Sequence, residues 1–224
     1  MEKIRFKKLR LWIAYPFAVL YFIFAYQKGF DFSYGVWFVV LGALIRLWAA
    51  GFIKKIRELA TCGPYMFVRN PLYLGNFLMG LGFCLFINNM FLSLLYIFLF
   101  FIFYCGTIQE EQILLTDLFG QEYIEYKKSV PAFFPLFKIY KSKQKLNFSL
   151  KQAYYNGEFI RILIIGILLN TLYFFQYFKI EKMLDAKQIL WFGVTFFTLI
   201  ILLVLSIIHR RNWMHDEQNQ NQDI

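Results

Sequence analysis

Between Asn70 and Gln109 the chain carries no charged residue. One membrane crossing takes roughly 20 apolar residues, so a run about twice that long has to double back as a helical hairpin. Asn88-Asn89 is the obvious turn, which predicts one helix over about Leu72 to Ile87 and a second over about Phe91 to Ile108. Composition points the same way. The chain is 59% hydrophobic, 22% aromatic and only 17% charged, where soluble domains average roughly 45–50% apolar and about 25% charged residues. The expectation is an all-α, polytopic membrane protein.

Four further apolar runs complete the count: Leu11 to Tyr26, Phe32 to Ile53 interrupted only by Arg46, Ile162 to Phe178, and Gln188 to Ile208. The first, behind Lys7, Lys8 and Arg10, could be a cleavable signal peptide, but it ends in Ala25-Tyr26-Gln27-Lys28 without a small-x-small cleavage site and is read as a retained helix. About six transmembrane helices result. They divide into a four-helix core over 1–157, a C-terminal hairpin over 158–209, and a polar, disordered tail over 210–224.

Orientation follows from Lys and Arg. The first ten residues, the segment with Lys54, Lys55, Arg57 and Arg69, the Lys127 to Lys151 stretch, and Arg210-Arg211 fall on one side, which predicts cytoplasmic N- and C-termini in a cell inner membrane. The loop with Lys179, Lys182 and Lys187 is discordant. The net charge of +10 could mark a nucleic-acid partner or an anionic membrane surface, and its distribution between apolar runs selects the membrane. Cys62, Cys84 and Cys105 form no Cys-x-x-Cys pair, and His209 and His215 are the only histidines, so neither a zinc nor a haem centre is expected.

Unusual chemistry gathers on the cytoplasmic side, in two segments that the hairpin brings together. In the first, Thr61 to Gly75, Gly63-Pro64 and Asn70-Pro71 are turn dipeptides, and the residue before each proline is pushed out of the helical region. Pro71 suits the first turn of the following helix, whose free N–H groups favour a carboxylate or phosphate. The plainer reading is a membrane-entry loop with Tyr65 and Tyr73 as interfacial aromatics.

The second segment starts at Glu110-Glu111, at the end of the uncharged run. Acids at a membrane edge are costly unless paired or solvated, and adjacent helical residues point about 100° apart, which sends one inward and the other to water. An amphipathic helix continues through Leu114, Leu115 and Leu118 to a cap at Gly120. A short helix from Gln121 to Lys128 then stops before Pro131, with Tyr123 and Tyr126 on one face as core or as pocket lining. Arg46 snorkels to the cytoplasmic face or meets Glu110, Glu111 or an anionic substrate group.

These two segments resemble the isoprenylcysteine carboxyl methyltransferases and the related phospholipid methyltransferases. The family pattern of Gly-x-Tyr, Arg-His-Pro-x-Tyr-x-Gly, an apolar hairpin, Glu-Glu, Phe-Gly-x-x-Tyr-x-x-Tyr-Lys and Val-Pro with a further Pro has counterparts here in order. They are Gly63-Pro64-Tyr65, Arg69-Asn70-Pro71-Leu72-Tyr73-Leu74-Gly75, Glu110-Glu111, Phe119-Gly120-Gln121-Glu122-Tyr123-Ile124-Glu125-Tyr126-Lys127, and Val130-Pro131 with Pro135. The resemblance spans about Arg57 to Pro135.

The resemblance implies S-adenosylmethionine as methyl donor and a lipophilic acceptor, either an isoprenylcysteine-like carboxylate or another membrane lipid. A phospholipid-amine N-methyltransferase is the nearest alternative, and a scaffold or transporter is the non-enzymatic one. By position, Leu59, Ala60, Tyr65, Asn70, Pro71, Leu72 and Tyr73 would contact the cofactor. Glu111 would take its amino group, with Glu110 as second choice, and Arg46 and Thr107 fall on the acceptor side. Two departures stand out. Asn70 replaces the family His and can donate a hydrogen bond but cannot act as a base. Thr107 occupies the place where prenylcysteine enzymes carry an Arg suited to gripping a substrate carboxylate.

Overall fold

A computed structural model describes residues 6–54, 58–135, 139–142, 146–178 and 185–220. Within the expectations above, the first five residues, Lys55, Arg57, residues 136–138 and 143–145 of the basic stretch, Lys179, Lys182 and residues 221–224 lie outside them. The fold is all-helical, 78% helix, with no strand among the described residues. Its elements are α1 (Phe6–Lys28), α2 (Gly35–Ala50), a 3-10 turn (Gly63–Met66), α3 (Pro71–Leu85), α4 (Met90–Ser129), α5 (Leu150–Tyr155), α6 (Glu158–Gln176) and α7 (Ala186–Gln220). By contacts the chain forms two units, Met1–Phe148 and Ser149–Ile224.

Among the described residues, three helical stretches are long and apolar enough to cross a bilayer: Met90–Ser129, Glu158–Gln176 and Ala186–Arg211. Helices α2 and α3 are apolar but shorter, at 16 and 15 residues. Along α7 the apolar side chains face outward, Trp191 at 70%, Phe197 at 65% and Leu205 at 57% exposure. Apolar surface on that scale is costly in water and ordinary in lipid.

In the first unit, α2 and α3 lie backbone to backbone through glycines seven residues apart. A methyl group on Gly35 would sit 2.5 Å from the Gly82 carbonyl oxygen, and one on Gly42 would sit 2.5 Å from that of Gly75. Small residues at such crossings are how helices associate where lipid removes the hydrophobic drive between them. The α3–α4 turn forms at the Asn pair: Asn88 takes a φ of 49°, which Asn tolerates, and the Asn89 side chain caps α4 by accepting from Leu92 N–H at 3.2 Å.

Helix α4 continues well past the uncharged run, to Ser129, and breaks once, at Gly120, whose φ of 51° and ψ of −125° suit only glycine. This break lets the terminal turns carry Tyr123 and Tyr126 into the core, where they pack with Leu59 and Val130. Beyond α4, Phe133 folds back on the hairpin, its ring 5.6 Å from that of Phe77 and 5.3 Å from that of Phe101. That anchor lays the 130–132 segment beside the start of α3.

In the second unit, α6 and α7 form an antiparallel hairpin joined mid-way by Asn170 Nδ2 donating to Thr195 Oγ1 at 2.7 Å. Short α5 belongs to this unit, which by contacts begins at Ser149. Its Tyr154 hydroxyl donates to the Ser206 carbonyl at 3.1 Å, and the Tyr155 ring stacks on Trp213 at 3.5 Å. The backbone of α7 stays helical through Gln220, where the sequence suggested loss of order from 210. Extending a formed helix avoids the nucleation cost, and Arg, Met, Glu and Gln are good helix formers.

Candidate functional site

The loop between α2 and α3 is stitched to the end of α4 and the segment beyond it. The 3-10 turn places Tyr65, 7% exposed, so that its carbonyl accepts from the Tyr126 hydroxyl at 2.7 Å. Met66 O accepts from Tyr140 N–H at 3.1 Å. Arg69 makes three ties: its N–H donates to Pro131 O at 2.8 Å, its Nε to Val130 O at 2.8 Å, and its Nη1 to the Tyr123 hydroxyl at 3.5 Å. Asn70 Nδ2 donates to Ala132 O at 2.8 Å.

Pro71 is the first residue of α3 and fully buried. It offers no N–H, and the next donors, Tyr73 and Leu74, both bond to Asn70 O at 3.1 Å, which leaves Leu72 N–H as the donor of this turn nearest the loop. The Tyr73 ring meets Tyr104 edge-on at 5.0 Å. Leu59, 4% exposed, packs on Tyr123, Tyr126 and Val130. Ala60 packs on the neighbouring cluster of Ala49, Phe52, Cys62 and Tyr65. The residues from 59 to 73 expected to share a site are therefore neighbours, held against α4 by Tyr123 and Tyr126.

Glu110 and Glu111 are both exposed on α4, so the expected split between an inward and an outward acid is not found. At this level α4 has passed the end of its packing partner α3. Glu111 is the one whose charge reaches Tyr123. Burial raises the Tyr123 phenol above its ordinary pKa, Glu111 pushes it the same way, and the Arg69 guanidinium opposes both.

Arg46 does not snorkel. It is 6% exposed, and its Nη1 donates to Leu72 O at 3.1 Å and to Asn76 Oδ1 at 2.7 Å. Asn76 in turn donates to the Tyr104 hydroxyl at 3.3 Å. The chain Arg46–Asn76–Tyr104 joins α2, α3 and α4 directly behind Leu72 and Tyr73, and it keeps Arg46 turned toward α3 rather than toward the acid pair. Thr107 is half-buried and bonds back onto its own helix, its hydroxyl donating to Phe103 O at 2.9 Å. Sequence reasoning missed Asn76, whose signal was a polar side chain inside an uncharged apolar run.

The phospholipid methyltransferase family model matches residues 30–122. Over 107 residues, 47% of this chain and 50% of the relative, the sequence is 34% identical to the nickel-cobalt-cadmium resistance protein NccN of Alcaligenes xylosoxydans xylosoxydans. It is 35% identical over 83 residues to the protein-S-isoprenylcysteine O-methyltransferase of Schizosaccharomyces pombe, covering 37% of this chain and 35% of that one. The human enzyme of the same name is 36% identical over 80 residues, 36% of this chain and 28% of that one. The chain thus spans half or less of the length of these curated relatives. No solved structure matches it.

An all-helical chain with apolar helices of membrane-spanning length is thus similar, over part of its length, to membrane methyltransferases. The likeness to the phospholipid methyltransferase family covers residues 30–122, and isoprenylcysteine O-methyltransferases are among the proteins similar to this chain.

Proposed function

We propose that the protein is an integral membrane enzyme that transfers a methyl group from S-adenosylmethionine to a lipophilic acceptor drawn from the bilayer, a carboxylate of an isoprenylcysteine-like or other lipid. The observation that carries this reading is the closure of the 59–73 loop onto α4 through Tyr126–Tyr65 and Arg69–Val130. It ties the loop that carries Tyr65, Asn70, Pro71, Leu72 and Tyr73 to residues 61 positions further along the chain, which supports an ordered loop at the proposed cofactor site.

The residues fit that cofactor in kind. Leu59 and Tyr65 offer apolar and aromatic surface, Leu72 N–H and the second amide hydrogen of Asn70 offer donors for a carboxylate, and exposed Glu111 offers an acid for an ammonium. Bound S-adenosylmethionine supplies an electrophilic sulfonium methyl. The protein's share is alignment: it needs no nucleophile of its own, and holding two partners in line is the largest available contribution to rate. Arg46 fixes the start of α3 through Leu72 O, so the turn bearing Pro71 and Tyr73 is rigid from behind. A carboxylate acceptor arrives deprotonated and asks for no base. A phospholipid amine, the second reading, is favoured by the family description of residues 30–122; it must lose a proton that Asn70 cannot take.

The same proposal places six helices across the cell inner membrane with both termini cytoplasmic, and includes no nucleic-acid partner. Membranes containing the protein, incubated with methyl-labelled S-adenosylmethionine, are expected to yield one labelled lipid whose linkage, base-labile ester or stable amine, decides the acceptor class. Absence of binding of S-adenosylmethionine to the purified protein would leave a membrane scaffold or transporter as the reading.

A further inference from the structure

At the open end of the α6–α7 hairpin two arginines converge on one glycine. Gly157 precedes α6 with a φ of 83°, and a methyl group built on it would lie 3.2 Å from Arg210 Nη1 and 3.7 Å from Arg161 Nη1. Both guanidiniums are held in place. Arg210 Nε donates to Tyr155 O at 2.9 Å, while Arg161 Nη1 donates to Asn156 O at 3.1 Å and to Glu158 Oε1 at 2.7 Å. Glu158 is buried, 3% exposed, and offsets one of the two charges. Lys151 adds a third cation, its Nζ 5.7 Å from the centroid of the Tyr155 ring.

This cluster sits where two apolar helices end. Glu158–Gln176 and Ala186–Arg211 are long and apolar enough to span a bilayer, and Arg161 and Arg210 lie at matching ends of them. Beside them Tyr155 and Trp213 stack at 3.5 Å with an interplanar angle of 15°, the kind of aromatic pair that settles at headgroup level. Like charges at that depth repel unless an anion lies between them, and a phosphate accepts one charge-assisted hydrogen bond from each of two guanidiniums at about 2.8 Å. Basic pockets between membrane helices take anionic headgroups on this principle.

We propose that the guanidiniums of Arg161 and Arg210, which approach each other where Gly157 carries no side chain, form a binding site for the phosphate of an anionic phospholipid, which seats the C-terminal hairpin in the membrane. The Glu158 carboxylate orients Arg161 and limits the site to a single phosphodiester. The site is built from residues 149–224 alone, outside the matched residues 30–122, and its failure or success is read without any activity.

The purified full chain in neutral detergent is titrated with phosphatidylglycerol, phosphatidylcholine or inorganic phosphate, and lipid retention is counted by native mass spectrometry beside the thermal midpoint. Phosphatidylglycerol is expected to be retained in one copy and to raise the midpoint, with phosphatidylcholine retained at least several-fold less. Arg161→Gln and Arg210→Gln should each lower phosphatidylglycerol retention roughly fivefold, and Arg210→Lys less, because charge remains. Equal retention of the two lipids by the wild-type protein overturns the site, whether or not the glutamine variants fold. An equal midpoint shift from inorganic phosphate overturns the assignment to lipid.

Discussion

The Tyr126 hydroxyl donates to the Tyr65 carbonyl at 2.7 Å, both residues buried, and this bond closes the loop before α3 onto the end of α4. Tyr126→Phe keeps the ring and leaves a buried carbonyl without its donor, which costs about 1–3 kcal/mol. A lower thermal midpoint is expected, with the helical circular-dichroism spectrum retained. Burial also raises the Tyr126 phenol well above its ordinary pKa. The stability it contributes is therefore complete below the unfolded value of about 10 and declines as pH rises beyond it. Melting curves across the alkaline range should fall less steeply for Tyr126→Phe than for the wild type; parallel slopes would remove Tyr126 from the titrating core.

Gly42 and Gly75 set the spacing of α2 and α3. A methyl on Gly42 meets the Gly75 carbonyl at 2.5 Å and Met79 N at 2.9 Å, backbone atoms that cannot rotate away. Gly42→Ala is expected to force the helices apart at about 1–3 kcal/mol, and Gly42→Leu to abolish folding. Gly193→Ala, where nothing lies within 4 Å, serves as the control and should leave the midpoint unchanged. A Gly42→Ala protein as stable as the control would contradict the close approach.

Topology is tested at Lys141, an exposed residue in the basic stretch after α4. With Lys141→Cys placed in a background where Cys105, the exposed native thiol, is Ser, a membrane-impermeant maleimide should label only after the cells are opened. Labelling of intact cells would reverse the orientation drawn from Lys and Arg.

The α3–α4 hairpin was legible because a charge-free run twice the bilayer length admits one solution, and Asn88-Asn89 is where it turns. The break at Gly120 was legible for the same reason of local chemistry. What lay beyond reach depended on contacts between distant residues. The sequence around Arg46 shows a cation near a helix end, and snorkelling follows from that alone. Its actual partners, Leu72 O and Asn76, belong to the next helix and are brought to it by the glycine crossing. The acid pair was misjudged similarly, since whether either acid is buried depends on where α3 ends. Short α5, at six residues, is too brief for periodicity to assign it to the hairpin it joins.

Glu111 is the acid whose charge acts on Tyr123, and Tyr123 is bonded to Arg69 at the loop. Glu111→Gln is therefore expected to weaken S-adenosylmethionine binding more than Glu110→Gln. Losing a charge-assisted contact is worth roughly 1.5–3 kcal/mol, or about one to two decades in affinity. Calorimetry on the two variants checks the order. Unchanged affinity in Glu111→Gln removes that residue from the proposed site.

Asn70 stands where the related enzymes carry His, and its amide holds Ala132 O at 2.8 Å. The side chain thus works first as a tie between the loop and the segment beyond α4, next to the parallel ties from Arg69. Asn70→His keeps a ring N–H donor and should retain both stability and cofactor affinity. Asn70→Leu fills the space without a donor and should lower the thermal midpoint by the equivalent of about 1–3 kcal/mol, because Ala132 O is left unpaired. If the second amide hydrogen also serves a bound carboxylate, Asn70→Leu loses about one to two decades in S-adenosylmethionine affinity at a temperature where it is still folded. Measuring both quantities separates the roles. A lower midpoint with wild-type affinity assigns Asn70 to the tie alone and moves carboxylate recognition to Leu72 N–H at the first turn of α3.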